Sequence, residues 1–385
     1  MSARIRPLPG ILALGWVIAM AVALLTLPAL RIAPNRLVVG TPVYGLEVFG
    51  WWVAAILASG ALCVGLLVAA TTRRRALVAL GFLALCAILL ALGLGAGAAH
   101  RMVGQPPAAR ASLGAGIWSA AALLSFTMGF AVQASRIAGL GLFVPVLLLA
   151  ILGTAGHLGA FDSLSLAVEY AARREAVNEA VLQHLGLAGG AVLLGIAGAV
   201  LLSLWRRGQG LVAILVGGVQ VIPAVALLGA LVALVSGLLR LVPSLRDIGL
   251  SALGAGPALI GIAAYLLLPL WRGLATALRA PDPASLDAAT GLGLTRSQIL
   301  WRLRLPLGAP ILVGALRVAA VQSLGLATLG ALIGAGGLGR IVFDGMAQFA
   351  PDLILLGAIP IVALSLGAER GLSLAEDAAR LRLRA

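Results

Sequence analysis

Long apolar runs recur along this chain, and they restrict its possible folds more than any other feature. Several hold 18 or more residues, enough to cross about 30 Å of hydrocarbon as a helix. Because unpaired backbone amides are costly in lipid, such runs must form helices there. The fold class is therefore predicted to be all-α, a polytopic membrane protein of about ten transmembrane helices in a lipid bilayer. The predicted spans lie at roughly 10–30, 48–70, 76–98, 114–134, 137–157, 188–205, 211–236, 255–278, 308–331 and 353–369.

The positive charge of the chain is interpreted as a determinant of topology. The net charge of +14 comes from arginine alone. In a soluble protein it would suggest a nucleic-acid partner, but here the arginines lie in short loops, where positive charge marks the cytoplasmic side. The triplet Arg73–Arg75 favours a cytoplasmic N-terminus most strongly, which also places the C-terminus and residues 279–307 inside. The scattered cysteines and histidines have no metal-site spacing, so neither nucleic acid nor metal is expected.

One polar loop, residues 279–307, lies between two long apolar runs. Gly293 permits a sharp turn between two short helices, because glycine takes positive φ without strain. Pro306 suits the start of the next span, where a missing N–H has no cost. A short helix that carries Asp287 and is flanked by Arg296 can wedge into a groove on a partner. The candidate loop residues are Asp287, Ala288, Ala289, Gly293, Arg296, Leu305 and Pro306.

The spacing of these residues resembles the EAA loop of ATP-binding-cassette (ABC) importer permeases. Asp287 stands where that family usually has glutamate, which keeps the charge and shortens the side chain by one methylene. The resemblance implies that the loop docks this chain onto an ATPase and couples the two. From the residues alone, an ordinary amphipathic cytoplasmic loop is the alternative.

Three further segments resemble the osmoprotectant branch of that family, which imports glycine betaine, choline, carnitine or proline. Residues 220–228 (QVIPAVALL) resemble its Q-T-I-P-S-x-A-L-L segment, with Val221 and Ala224 replacing Thr and Ser. Residues 265–272 (YLLLPLWR) resemble its Y-x-L-L-P-x-x-R run, and residues 334–339 (GAGGLG) match its glycine run. The resemblance covers about residues 180–385 and implies that the five C-terminal spans form a type I importer permease core.

Polar and glycine residues within the apolar runs are candidates for a pathway or gate. Proline inside the span 211–236 frees a carbonyl that protein or water must satisfy, which favours a pathway position over a kinked packing helix. The glycine run predicts a tight or re-entrant turn along the pathway, with close helix packing as the alternative. A charge inside the span 308–331 must be paired or snorkel to the interface. The candidates are Gln220, Pro223, Arg317, Gly334, Gly336, Gly337 and Gly339.

Three parts of the chain are predicted. Residues 1–157 form a five-helix membrane extension, residues 158–187 an external amphipathic linker, and residues 188–385 the permease core. The chain has no phosphate-binding loop, so it is not expected to be an enzyme or to bind a cofactor. ATP and Mg would be used by two partner ATPase subunits. A second permease subunit, identical or paralogous, and a periplasmic or extracellular substrate-binding protein complete the assembly that the resemblance implies in the bacterial inner membrane.

The resemblance implies import of a quaternary-amine osmoprotectant, and three alternatives stay open. One is an ABC importer of another small solute, such as an amino acid. A second is an ion-coupled secondary carrier, which the lack of a carboxylate clearly at mid-span disfavours. The third is a membrane scaffold or sensor that does not transport, which the loop pattern disfavours.

Overall fold

The computed structural model describes residues 8–36, 38–68, 73–137, 139–247 and 249–383. The chain forms two compact units, Met1–Ala172 and Arg173–Ala385. Each unit buries its own cluster of apolar side chains.

The first unit is a helical bundle with a small sheet. Its helices are α1 (Leu8–Thr26), α2 (Gly45–Phe49), α3 (Trp52–Val68), α4 (Arg73–Met102), α5 (Ala115–Ser135), α6 (Leu140–His157) and α7 (Ser165–Ala172). Among the described residues, three antiparallel strands pair in the order β2-β1-β3. They are β1 (Pro28–Ala33), β2 (Thr41–Tyr44) and β3 (Arg110–Leu113).

The sheet is a departure from the all-α prediction. The first span was expected to reach residue 30, but α1 ends at Thr26 and Pro28 begins β1. Proline in a helix interior removes a hydrogen bond and clashes with the preceding turn. In β1, buried Leu30 is followed by exposed Arg31, so a segment that counted as apolar helix is a half-buried strand.

The predicted linker segment, residues 158–187, contains one whole helix and the start of the next. Helix α7 ends at Ala172, and the next helix begins at Arg174 and continues to Leu204. The Glu169 carboxylate of α7 is buried, forms an ion pair with Arg36 and lies 3.9 Å from Nε of Arg110. A buried carboxylate needs such partners, and they hold α7 within the first unit.

The second unit is helical. Its helices are α8 (Arg174–Leu204), α9 (Gln209–Val219), α10 (Ala224–Leu241), α11 (Ala255–Ala277), α12 (Pro283–Gly291), α13 (Arg296–Ile299), α14 (Leu305–Gly330), α15 (Leu338–Ala347) and α16 (Pro351–Arg382). A Cβ on Gly273 would lie 2.2 Å from Cβ of Ala315, and one on Gly308 would lie 2.5 Å from the Ala277 oxygen. Small residues therefore let α11 and α14 pack closely, as is common between membrane helices.

Eight helices among the described residues are long and apolar enough to span a membrane. They are α4, α5, α6, α8, α10, α11, the helical run Arg296–Ile333 that contains α14, and α16. Shorter apolar helices occupy Leu14–Thr26, Trp52–Cys63 and Gln209–Val219. The helical membrane fold is confirmed, with eight candidate spans where about ten were predicted.

The predicted span 211–236 is interrupted. Helix α9 ends at Val219 and α10 begins at Ala224, so Gln220 and Pro223 lie in a break between two helices and not within one span. Proline disfavours the α conformation of the residue before it, and Pro223 itself is extended, with ψ of 134°. The chain therefore leaves the helix here instead of kinking it.

The last span was predicted to end at residue 369, before the C-terminal tail. The structure instead has one helix of 32 residues, α16, which includes the predicted span 353–369 and continues to Arg382. Glu369 and Glu376 of this tail contact Arg317 of α14, so the tail packs on the unit.

Candidate functional site

The polar loop between α11 and α14 begins with a capped helix, α12. The Asp282 carboxylate accepts hydrogen bonds from the Ser285 amide at 2.8 Å and from its hydroxyl at 2.9 Å. These donors lower the pKa of Asp282, because they stabilise its charged form. Asp287 and Ala288 are exposed on α12, while Ala289 is buried. The helix therefore presents Asp287 on its outer face.

Gly293 makes the predicted sharp turn after α12. Its φ is +78°, a conformation that glycine adopts without strain. Its amide donates to the Thr290 oxygen at 2.9 Å, and the Leu294 amide donates to the Ala289 oxygen at 3.1 Å. This pair of bonds is the Schellman pattern of helix termination. The turn direction is thus fixed by hydrogen bonds as well as by glycine.

A capping box starts the second loop helix, α13. The Thr295 amide donates to the Gln298 side-chain oxygen at 2.8 Å, and the Gln298 amide donates to the Thr295 hydroxyl at 3.3 Å. Arg296 follows in the first turn and is exposed. Each loop helix therefore has its own cap, and the loop is a defined two-helix structure.

No break separates α13 from the following span. A wide turn of π-helix, Leu300–Arg304, joins α13 to α14, so Pro306 lies within a continuous helical run and not at its free start. Proline has no N–H, so the turn before it lacks one α-helical bond. Nη1 of Arg304 donates to the Leu278 oxygen at 3.0 Å, which ties the loop to the end of α11. Leu305 is half-buried here, and Pro306 is exposed.

The loop exposes apolar side chains beside its charges. Leu292 is 80% exposed and Trp301 is 68% exposed. Exposed apolar groups that are surrounded by polar residues are typical of protein interaction sites. The two side chains lie on either side of Gly293, near Asp287 and Arg296 in sequence.

Two of the motifs, residues 220–228 and 265–272, meet in a reciprocal latch. Nε2 of Gln220 donates to the backbone oxygen of Tyr265 at 2.6 Å, and the Tyr265 hydroxyl donates to the backbone oxygen of Ile222. Pro269 lies four residues after Tyr265, inside α11. Because Pro269 has no N–H, the Tyr265 oxygen has no α-helical donor. In each segment, a backbone oxygen without a helical donor therefore accepts a hydrogen bond from a side chain of the other segment.

The glycine run forms a tight turn against α8. Gly334, Gly336 and Gly337 have φ of +82°, +76° and +73°. The Gly337 amide donates to the Gln183 side-chain oxygen at 3.0 Å. A Cβ on Gly339 would lie 2.2 Å from the Thr328 oxygen. The run thus combines the predicted turn with close helix packing, its stated alternative.

His184, which sequence reasoning did not single out, lies beside this turn. Its side chain is fully buried, and its Nε2 donates to the Leu324 oxygen at 3.0 Å. It joins α8 to α14 next to Gly337 of the glycine turn. In the sequence, the one indication of this contact is a histidine in an apolar segment, directly after Gln183.

Arg317 is held by carboxylates of α16. Its Nη1 lies 2.7 Å from Glu369, and its Nη2 lies 3.3 Å from Glu376. Glu376 also pairs with Arg380 at 2.6 Å. The seven-residue spacing of Glu369 and Glu376, which places them on one helix face, could have indicated a shared partner. The charge inside the span is therefore paired.

The candidate residues form separate clusters. The loop precedes α14 and the glycine turn follows it. Helix α14 has 26 residues, so its two ends are about 39 Å apart. The latch joins the α9–α10 break to α11, and Arg317 joins α14 to α16. Helix α14 is the element between the loop and the glycine turn.

Comparison with known proteins identifies the fold's relatives. Residues 191–370 match the family described as the binding-protein-dependent transport system inner membrane component. The chain is 33% identical over 191 residues to the carnitine transport permease protein OpuCB of Listeria monocytogenes, covering 49% of this chain and 80% of that protein. The chain belongs to the ABC transporter permease family.

Other comparisons extend this result. The permease is 28% identical over 198 residues to the choline transport system permease protein OpuBB of Bacillus subtilis, covering 50% of this chain and 84% of that protein. Residues 9–167 match the family described as the N-terminal domain of ABC transporter permease YehY. A solved chain of the MetNI methionine ABC transporter aligns at a TM-score of 0.42 and 20% identity, covering 53% of this chain and 94% of that one.

The family confirms several predictions. The permease is a multi-pass membrane component of an importer and not the subunit that hydrolyses ATP. As an ABC permease it works with ATPase partners. Its relatives at about 30% identity are osmoprotectant permeases. The loop, the latch and the glycine turn all lie within residues 191–370, which match the permease family.

Proposed function

We propose that this permease imports a quaternary-amine osmoprotectant such as glycine betaine, choline or carnitine. The observation that carries the proposal is that several relatives at about 30% identity are carnitine, choline or glycine betaine permeases. The motifs at residues 220–228, 265–272 and 334–339 lie within residues 191–370, which match the permease family. They make the latch and the glycine turn, so the resemblance includes residues that shape the structure.

We assign the loop 279–307 to ATPase coupling. Asp287 and Arg296 offer charges of both signs, and Leu292 and Trp301 add exposed apolar area. The Schellman turn and the capping box make the loop stiff. Because helical structure continues from α13 through α14, a push on the loop moves a span and is not absorbed by a flexible joint. Such a loop can convert ATPase closure into a tilt of α14.

We assign the latch and the glycine turn to the translocation pathway. A break between α9 and α10 that depends on side-chain hydrogen bonds can open at small cost, because each neutral bond contributes about 1 kcal/mol. Non-helical backbone at membrane depth is tolerated where it is buried in protein or lines a water-filled cavity. Residues 221–223 are exposed in the single permease, so we place the gate at residues 220–223, where the non-helical backbone would line the water-filled pathway.

The proposed assembly has two of these permeases, or one with a paralogue, two ATPases that use ATP and Mg, and a substrate-binding protein outside. Both termini of the permease lie in the cytoplasm in this arrangement, in accord with the arginine distribution. Uphill import requires about 1.4 kcal/mol per tenfold gradient, which ATP hydrolysis by the partners supplies. The permease itself binds neither nucleotide nor metal.

The test is uptake into proteoliposomes that contain the permease, its ATPase and its binding protein. ATP-dependent accumulation of radiolabelled glycine betaine, choline or carnitine is expected, with no accumulation when ATP is omitted. A panel of amino acids is assayed in parallel. ATP-driven uptake of an amino acid without any quaternary amine would refute the proposed solute and leave the importer assignment intact.

A further inference from the structure

A polar pocket of ≈ 330 Å³ lies between the first turns of α8 and helix α15. Its lining includes Glu179, Gln183, Gly337, Arg340, Asp344 and Leu353. Ligand pockets in proteins are about 300–1,000 Å³ and place a few polar groups around the ligand. The pocket is therefore of a size for a small solute, and only Gly337 among these residues belongs to a motif.

The glycine turn forms one wall of the pocket. A Cβ on Gly336 would lie 2.5 Å from the Gln183 side-chain oxygen, so the turn can lie flat against α8 only because it is glycine. The Gly337 amide donates to that same oxygen at 3.0 Å, and Nε2 of Gln183 donates to Glu179 at 2.9 Å. Gln183 is thus held at both ends, and it positions the Glu179 carboxylate at the pocket.

The opposite wall offers charges of both signs. Nε of Arg340 lies 3.8 Å from Asp344, and the two side chains are 77% and 55% exposed. Ion pairs this exposed are weak, so Arg340 can exchange Asp344 for a ligand carboxylate. The pocket therefore has a cationic group on α15 and a carboxylate on α8.

We propose that this pocket receives a small zwitterion, with the solute carboxylate on Arg340 and its cationic head on Glu179. The inference rests on the proposed function and names where the permease first holds the solute. The described residues that line the pocket include no aromatic ring, so the cationic head is held by charge and not by an aromatic cage. Choline has the cationic head but no carboxylate, so it uses Glu179 alone.

The first test compares two solutes in the complete reconstituted transporter. Arg340→Gln is expected to lower the ratio of betaine to choline uptake about tenfold, the scale of one charge-assisted hydrogen bond. Glu179→Gln is expected to slow both solutes. The matched control is Glu175→Gln, one turn away on α8 and exposed, which should change neither. Arg340→Lys, which keeps the charge, should restore most of the ratio.

The second test measures binding without transport. Saturation-transfer NMR of betaine on the full permease–ATPase complex, without the binding protein, should give a signal that Glu179→Gln removes and Glu175→Gln keeps. Glu179→Asp guards against misfolding and should retain part of the signal. This arm reports on the pocket even if wild-type uptake shows that the physiological solute is another one.

Each outcome decides the proposal. The proposal is supported if Arg340→Gln lowers betaine uptake more than choline uptake and the betaine NMR signal is present. An equal loss of betaine and choline uptake, with no NMR signal, would show that this surface contacts a partner protein instead. Variants that behave like Glu175→Gln in both tests would also overturn it. Absence of wild-type uptake of both solutes, with a positive NMR result, would refute the proposed function and leave the pocket assignment standing.

Discussion

Replacing Pro269 by alanine is expected to make Gln220 dispensable for stability. In the native chain, Nε2 of Gln220 is the donor for the Tyr265 oxygen, which Pro269 leaves without an α-helical partner. Gln220→Leu therefore strands a buried acceptor. Such a loss costs about 1–3 kcal/mol in soluble proteins, and side-chain bonds between membrane helices average about 0.6 and reach about 1.7 kcal/mol. A loss of about 1 kcal/mol in the free energy of unfolding is expected.

In the Pro269→Ala background, the amide of residue 269 can donate to the Tyr265 oxygen. Gln220→Leu should then cost less than about 0.5 kcal/mol, which corresponds to a coupling of at least that size between positions 220 and 269. Tyr265→Phe, which removes the donor to Ile222, should cost the same in both backgrounds, because that carbonyl lies at a different break.

The assay is unfolding by SDS in mixed micelles, followed by tryptophan fluorescence, on the four proteins of the cycle. Gln133→Leu is the control for replacing an exposed amide by an apolar side chain. Equal losses for Gln220→Leu with and without Pro269 would refute the reasoning, because they would show that the Tyr265 oxygen does not depend on Gln220.

Gly293→Ala should abolish substrate-stimulated ATP hydrolysis without loss of membrane insertion. The reason is that a Cβ at φ of +78° costs about 1–2 kcal/mol. Gly291→Ala, in the adjacent helix, should retain full stimulation. The Asp282 carboxyl should titrate below its usual pKa of about 3.9, so its capping is complete above that pH and is lost as the pH falls through the lowered value. Carboxyl ¹³C NMR measures this titration. Ser285→Ala should raise the pKa of Asp282 toward the usual value. Cysteine at Ser297, in a background without the native cysteines, should react with an impermeant maleimide only from the cytoplasmic side, and labelling from outside would reverse the proposed orientation.

The loop could be predicted largely from sequence, because its determinants are local. Gly293 adopts the positive φ that its spacing suggested. The Asp282 cap and the Thr295–Gln298 capping box were overlooked, although both follow recognisable patterns within four residues. The continuous helix through Pro306 could not be inferred, because a π-turn before a proline has no clear sequence signal.

The latch could not be predicted, because its partners are 45 residues apart and depend on how α9, α10 and α11 pack. Only half of the signal is local: Pro269 leaves the oxygen of residue 265 without a donor. The strand β1 was overlooked for a different reason. Its apolar residues extend an apolar helix in sequence, and only the pairing with β2 and β3 distinguishes strand from span.

Helix α8 contains 31 residues and no proline. At 1.5 Å per residue it is about 46 Å long, about 16 Å more than the hydrocarbon layer of a bilayer. A rod of this length pivoting by 10° about its midpoint displaces each end by about 4 Å. Since Glu179 and Gln183 lie near one end, a slight rocking of the membrane bundle becomes a several-ångström change in the width of the polar pocket. Conversely, a solute that fixes the width of the polar pocket fixes the position of this end of α8, and thereby limits the tilt of α8 deeper in the membrane.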